Sequence, residues 1–226
     1  MDYKYTATFE APLLSCEINP ITLGASLISE ASLKNLEPLI PKDIDYNDNI
    51  DLMGVAFNAA VINQFNKNGD GMDAATAVKY ANNFIHKPTN IEHDKQKVVG
   101  HIVSAGYSDY KSSELIEENR AASMKEPFNI ALGAVLYKTI NSNFTDLVEK
   151  SLDPDSNQYQ KVSASWEVGF NDYVLAVGSD LLSEARIISD PEEISEMRGF
   201  LRSYGGNGKT DKGETIHRLI KGDIYP

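Results

Sequence analysis

Residues 161–170 read Lys-Val-Ser-Ala-Ser-Trp-Glu-Val-Gly-Phe, and their side chains alternate between apolar and polar. The apolar set comprises Val162, Ala164, Trp166 and Val168. The polar set comprises Ser163, Ser165 and Glu167. Successive side chains of a β-strand point to opposite faces, so this pattern predicts a half-buried strand with both serines on its polar face. A polar face of this kind is also what an ordinary solvated strand presents.

Similar patterns on both sides of this stretch predict more strands and several helices. Strand-like segments cover 3–9, 13–18, 51–57, 90–93, 98–107, 129–137, 173–178 and 183–188. Helical patterns cover 74–85, 111–126, 144–152 and 191–204, with a last helical turn near 214–220. A length of 226 residues suits one domain, so we expect a single domain over 1–226. Its segment 191–226 is expected to be helical and interrupted by glycines.

Composition excludes several classes of protein. Hydrophobic residues make up 42% and charged residues 24% of the chain, which are ordinary globular values. A net charge of −12 disfavours binding to a phosphate backbone, so no nucleic-acid partner is expected. The chain contains no apolar run of about 18 residues, so no membrane-spanning helix is expected. No signal peptide is recognised at the N-terminus. The single Cys16 is expected to be a buried thiol in a reducing compartment.

Two near-matches to ligand-binding motifs lack required residues. Residues 66–71 (Asn-Lys-Asn-Gly-Asp-Gly) imitate a calcium loop, but the twelfth position is Ala77 where a bidentate Glu is needed. Residues 206–210 (Gly-Asn-Gly-Lys-Thr) imitate a phosphate-binding loop, but Ser203 stands where its first glycine belongs. No zinc-binding spacing of His and Cys occurs either. We therefore expect no metal and no cofactor.

A histidine is the side chain best suited to general-base chemistry near neutral pH. Of the four in the chain, His93 lies at the end of a predicted short strand, just before a turn. It can face a groove there, or it can be a surface histidine bonded to a neighbouring carboxylate. Ser165 and Ser163 become nucleophiles only if such a base takes their proton, and sequence spacing does not show that contact.

Three segments together resemble the prohead core proteases of contractile-tailed bacteriophages, which are related to the assembly proteases of herpesviruses. Residues 82–93, from Asn-Asn-Phe through Lys-Pro-Thr-Asn-Ile-Glu-His, followed by 98–100 (Val-Val-Gly), are similar to the stretch that carries the family's catalytic histidine. Residues 165–173 (Ser-Trp-Glu-Val-Gly-Phe-Asn-Asp-Tyr) resemble its nucleophile block, with Trp and Val in place of Met and Cys. Residues 200–208, followed by 216–219, resemble its Leu-Arg-Ala-Tyr-Gly-Gly-Thr-Gly tail and the Gly-Arg-Leu-Leu that ends it.

The resemblance implies a fold, an activity and a set of residues. The fold is α/β of the α+β type, with a small closed or strongly bent, mainly antiparallel sheet surrounded by helices, as in herpesvirus proteases. The activity is that of a serine endopeptidase with catalytic His93, Ser165 and Glu167. Arg186 is a candidate to assist backbone amides in holding the oxyanion. The alternatives for the acidic third member are Asp172, Glu184 and Asp190.

The resemblance also implies partners and a location. The substrates are phage scaffold and core proteins, the major capsid protein and the enzyme itself, cut inside the prohead in the host cytoplasm. No membrane partner is expected, and the oligomeric state is left open. The alternative function is a non-catalytic domain of the same fold that serves capsid assembly or scaffold interaction.

Overall fold

The computed structural model describes residues 3–9, 35–46, 48–153, 155–159 and 161–226, and the backbone alone of 10–12. The predicted strand at 13–18 and Cys16 lie outside the described residues.

The described strands form two curled half-barrel sheets of five strands each, and the pairing is mostly antiparallel. The first sheet contains, in spatial order, β1 (Tyr5–Pro12), β8 (Ser163–Val177), β10 (Ile216–Tyr225) and β3 (Asp70–Met72), with β9 (Arg186–Ile188) also paired to β8. The second contains β2 (Leu52–Ile62), β7 (Phe128–Tyr137), β5 (Val98–Asp109) and β4 (Pro88–Asn90), with β6 (Leu115–Ile116) also paired to β5. Only β3 and β10 pair in parallel among these strands.

Four α-helices and three 3₁₀ turns complete the described part of the chain. The helices are α1 (Ala74–Tyr80), α2 (Glu118–Ser123), α3 (Ser142–Leu152) and α4 (Pro191–Arg198). The 3₁₀ turns are Glu37–Leu39, Ala81–Phe84 and Arg202–Tyr204. Helix α1 begins where expected because the Asp73 carboxylate accepts the Thr76 N–H at 2.8 Å and so satisfies a free amide of its first turn. None of the described helices is long and apolar enough to cross a bilayer.

The two sheets share one hydrophobic core. Phe9 and Phe170 enter it from the first sheet, while Val55, Leu132 and Ala134 enter it from the second. All five side chains are less than 4% exposed, so each loses nearly all of its contact with water on folding. Burying a large apolar side chain stabilises a fold by about 1.5–3 kcal/mol, so this shared core is what holds the half-barrels together.

The expected α+β class and the strong bending of antiparallel sheets are present, although the strands divide into two sheets rather than one. The predicted strands at 3–9, 51–57, 98–107 and 129–137 correspond to β1, β2, β5 and β7. The segments 161–170 and 173–178 join into the single long strand β8.

Several helical predictions are wrong. In 111–126 only Glu118–Ser123 is helical, because Asp109 turns the chain by accepting the N–H groups of Lys111 and Ser112. Helix α4 stops at Arg198, and the remainder of 191–204 contains only a 3₁₀ turn. The segment 214–220 opens β10 rather than a helical turn, so 191–226 is not helical at its C-terminal end. Of 183–188, only Arg186–Ile188 is a strand.

Candidate active site

Ser165 lies on the exposed face of β8, as its sequence pattern predicts. Along 163–168 the exposed residues are Ser163, Ser165 and Glu167, and the residues between them are partly or fully buried. The register with β1 sets Ser165 opposite Glu10 and Glu167 opposite Thr8. The strand therefore presents two serines and one carboxylate to solvent in a single row.

The neighbouring Trp166 anchors this part of β8. Its indole N–H donates to the Ala59 carbonyl oxygen at 3.0 Å, which ties β8 to β2 of the other sheet. Its ring stacks on Phe9 with 4.8 Å between centroids and meets Phe84 edge-on at 4.6 Å. Because adjacent side chains of a strand point to opposite faces, inward anchoring of Trp166 holds Ser165 outward.

His93 sits at the tip of the hairpin that joins β4 to β5. The Asp94 N–H donates to the Ile91 carbonyl at 3.0 Å, which closes a four-residue turn around Glu92 and His93. Both central residues have positive φ, +52° and +57°, as a type I′ turn requires. Histidine adopts this conformation more often than most residues, but Glu92 is not among the residues that favour it, so the turn carries local backbone strain at Glu92.

A second turn follows directly, and its hydrogen bonds engage the carboxylate of Asp94, the residue next to His93. Asp94 accepts the Gln96 N–H at 2.9 Å and pairs with Lys97 at 3.2 Å. These two contacts, the first being the larger, lower the pKa of Asp94. The Asp94 carboxylate therefore serves the shape of the loop and forms no ion pair with His93 among the described residues.

The strained turn brings His93 to Ser165. The imidazole Nε2 lies 3.1 Å from the Ser165 hydroxyl oxygen, although the two residues are 72 positions apart in the chain. This is the separation at which an imidazole can accept a hydroxyl proton. The side-chain hydroxyl of Ser163, two residues before Ser165 on the same face, forms no hydrogen bond with any described residue.

A second contact joins the segment before β4 to the first sheet. The amide of Asn83, a few residues before β4, donates to the Ile224 carbonyl at 3.4 Å. Ile224 lies on β10 opposite Phe170, so the contact links the segment that leads to His93 with the partner strand of β8. Asn83 belongs to the segment that resembles the family's histidine stretch, and Trp166 is the single tryptophan of the chain, but neither of their contacts follows from the sequence pattern.

The structure places the four acidic candidates differently. Glu167 is exposed on the same face as Ser165 and forms no ion pair with His93 in the described structure. The Asp172 carboxylate accepts the N–H of Tyr173. Glu184 accepts the Ser179 hydroxyl at 2.9 Å, and Asp190 caps helix α4 through the N–H groups that follow it. Only Glu167 shares the exposed row of Ser165.

Arg186 is not brought to the site. It pairs with Val177, twelve residues along β8 from Ser165, and its guanidinium donates to Glu193 at 2.9 Å. This placement removes it as a direct oxyanion ligand.

Within the described residues no group of three His, Cys, Asp or Glu side chains could hold a metal ion. The protein matches no family model, curated protein or solved structure at a significant level.

Proposed function

We propose that the protein is a serine endopeptidase with Ser165 as nucleophile and His93 as general base. The observation that carries this proposal is the 3.1 Å contact between His93 Nε2 and Ser165 Oγ. A solvated strand and a surface histidine need no such contact, and they need no turn strained at a non-glycine residue such as Glu92. Strain of this kind is retained where function requires a fixed geometry, which is what a general base needs.

The chemistry proceeds by acyl transfer. His93 Nε2 takes the hydroxyl proton of Ser165 while the Ser165 oxygen forms a bond to the carbonyl carbon of a peptide. The carbon–nitrogen bond then breaks as His93 returns the proton to the leaving amine. A water molecule, deprotonated by the same imidazole, hydrolyses the acyl-enzyme and restores the serine.

We infer that the main-chain groups of Ser165 point toward the side of β8 on which the described pairing with β10 has ended. The carbonyls of Thr6 and Thr8 accept from the side chains of Arg218 and Asn66, at 2.8 and 3.0 Å, and these contacts suit carbonyls that point away from β8. Facing residues of an antiparallel pair alternate between bonding one another and pointing away. In the pair of Thr8 and Glu167, the main-chain N–H and C=O groups of both residues therefore point away from the partner strand. The same holds for Glu10 and Ser165, which lie two residues further along the ladder.

The donors that we propose for the oxyanion follow from this alternation. The backbone N–H of Trp166 faces β1, where Trp166 pairs with Phe9, so this amide is not free to donate to a substrate. The N–H groups of Ser165 and Glu167 face the opposite edge, where the β10 ladder ends at Gly169 and no described strand follows. An amide N–H there can stabilise the negative charge that develops on a substrate carbonyl oxygen, a contribution worth about 3–4 kcal/mol in acyl transfer.

The same edge suits an extended substrate. A peptide that continues the β10 ladder would run antiparallel to β8 and pass Ser165 with its backbone hydrogen-bonded to the strand. This mode recognises the main chain, which any peptide offers, and leaves side-chain preference to the neighbouring surface.

Glu167 is the proposed third member of the site. Its Cα lies about 7 Å from that of Ser165, two strand residues away on the same face. Catalytic hydrogen bonds often tighten only when substrate is bound. The backbone turn already orients the imidazole, so loss of the Glu167 carboxylate should cost less activity than loss of His93.

The biological setting rests on the resemblance to prohead proteases. Two of the three resembling segments carry His93 and Ser165, the two residues that meet. We propose that the substrates are scaffold and capsid proteins of an assembling viral particle, and that the fold is related to that of herpesvirus assembly proteases.

Cleavage of a cognate scaffold protein tests the function. Wild type, Ser165→Ala, Ser163→Ala and His93→Ala would each be co-expressed with the scaffold and the products followed by mass spectrometry, with circular dichroism as the folding control. The proposal requires cleavage by wild type and Ser163→Ala and none by the other two variants. Cleavage by Ser165→Ala would overturn the nucleophile, and an inert wild type would favour the non-catalytic assembly domain.

A further inference from the structure

Two segments that stand out in the sequence take no part in the pairing of His93 with Ser165. They are the glycine-containing stretch 66–71 and the stretch 201–208 (Leu-Arg-Ser-Tyr-Gly-Gly-Asn-Gly). The structure brings them together, because the guanidinium of Arg202 donates to the Lys67 carbonyl oxygen. They form two walls of one cavity, whose third wall is residues 6–8 of β1.

The size of the cavity limits what it can hold. Its volume is about 240 Å³. Sites for drug-sized ligands and cofactors measure about 300–1,000 Å³, so this cavity suits a single small group rather than a nucleotide.

A buried arginine supplies hydrogen-bond donors to this cavity. Arg218, which is 4% exposed, lines the cavity and has its guanidinium 4.9 Å from the ring centre of Phe170. Its Nε donates to Asp70 at 2.6 Å and its Nη2 to the Thr6 carbonyl at 2.8 Å. A guanidinium has five N–H donors, and its Nη1 has no hydrogen bond to any described residue. A hydrogen bond from a charged guanidinium to an anion is stronger than one between neutral groups, so an anionic acceptor in the cavity would be stabilising.

The charges of the lining favour a singly charged anion. Arg202 and Arg218 contribute two positive charges and Asp70 one negative charge, which leaves one positive charge in a chain of net charge −12. Asp70 also fixes the orientation of the Arg218 fork, because it holds the Nε side. The hydroxyl group of Ser203, another lining residue, can add a neutral donor.

We propose that this cavity binds a carboxylate group, with Arg218 as its buried ligand and Arg202 as its ligand at the mouth. An arginine fork matches the two oxygens of a carboxylate, and the net charge of the lining matches its single charge. The carboxylate comes from a free organic acid or from an acidic side chain of a protein. The site is separate from Ser165 and does not depend on peptidase activity.

Calorimetric titration of the full chain tests this site with acetate, with N-acetylglutamate amide and with phosphate, at constant ionic strength. Wild type and Ser165→Ala should bind a carboxylate saturably and equally. Arg202→Gln, which removes a charge from an exposed residue, should bind it about tenfold more weakly. Arg120→Gln is the matched control, because Arg120 lies on helix α2, which follows β6 of the second sheet and does not line the cavity. This variant should bind like wild type.

Each outcome bears on the proposal. Binding of acetate alone would identify a free acid as the ligand, and tighter binding of the glutamate derivative would identify an acidic side chain. Absence of saturable carboxylate binding would overturn the proposal, as would an Arg202→Gln variant that binds like wild type. Tighter binding of phosphate than of either carboxylate would also overturn it. Arg218→Lys, if it folds, should lose binding altogether.

Discussion

The buried ion pair between Asp70 and Arg218 allows a quantitative test of the fold. Their side chains are 8% and 5% exposed, and the contact measures 2.6 Å. Replacing Arg218 by Met keeps much of the volume but leaves the Asp70 carboxylate buried without its cation. Breaking such a pair from one side costs about 3–5 kcal/mol, a large share of the roughly 5–15 kcal/mol that stabilises a domain.

The partner substitutions complete a thermodynamic cycle. Asp70→Asn should cost less, about 1–3 kcal/mol, because the amide oxygen still accepts from Arg218. The double variant removes both charges and should be less destabilised than the sum of the single variants by more than about 1 kcal/mol. Urea unfolding at pH 7, followed by circular dichroism, measures all four proteins.

The dependence on pH gives a second check of the same pair. Burial raises the pKa of Asp70, and the contacts with Arg218 offset part of that rise. In Arg218→Met the offset is lost, so the folded-state pKa rises further above its unfolded value. The cost of the substitution should therefore shrink as pH falls through that raised pKa, where the carboxylate becomes protonated. Strict additivity in the cycle, or a cost that grows toward acid pH, would refute this reasoning.

Three more predictions concern other parts of the fold. Glu92→Gly should raise the free energy of unfolding, measured in urea, by about 0.5–1 kcal/mol. The strain of a positive φ at Glu92 is removed, and this gain outweighs the greater entropy of the unfolded chain that glycine brings. A loss of stability would contradict the strained turn. Desolvation lowers the pKa of the buried His217, so stability should fall as pH drops below about 6.5, and a His217→Phe variant should lack that component. Gly100→Ala should lower the melting temperature, since a Cβ there would overlap the Val135 carbonyl, whereas Ala105→Gly on the same strand should have a small effect.

The strand that carries Ser165 could be predicted from the sequence, because an alternating pattern is a local property. Strand β8 shows it clearly, with Trp166 inward and Ser165 outward. The pairing of β8 with β1 joins residues more than 150 positions apart, and no local pattern specifies such a partner.

Strand β10 shows where the sequence misleads. Ile216, Leu219 and Ile220 recur at three and four, which is the spacing of an apolar helix face. In the structure residues 216–220 are all buried, because the strand lies between two others and is covered on both faces. A short segment that is buried on both faces cannot be assigned to a helix or a strand by the spacing of three apolar residues alone.

The candidate site was predictable in part. The resemblance selected His93 and Ser165, and the structure brings them together, but their catalytic role stays a prediction. The conformation of the turn that carries His93 could not be foreseen, because Glu92 is a poor candidate for positive φ. The acidic third member is undetermined by sequence, since four candidate carboxylates follow the serine and, among them, only Glu167 shares the exposed row of Ser165.

The central claim is that His93 activates Ser165, and labelling with a fluorophosphonate probe tests it most directly. The probe reacts with an activated serine hydroxyl and needs no knowledge of the substrate. The account predicts one label per chain, mapped to Ser165 by peptide mass spectrometry. The label should be absent in Ser165→Ala, strongly slowed in His93→Ala and unchanged in Ser163→Ala. Labelling of Ser163, or equal labelling of wild type and His93→Ala, would contradict the account.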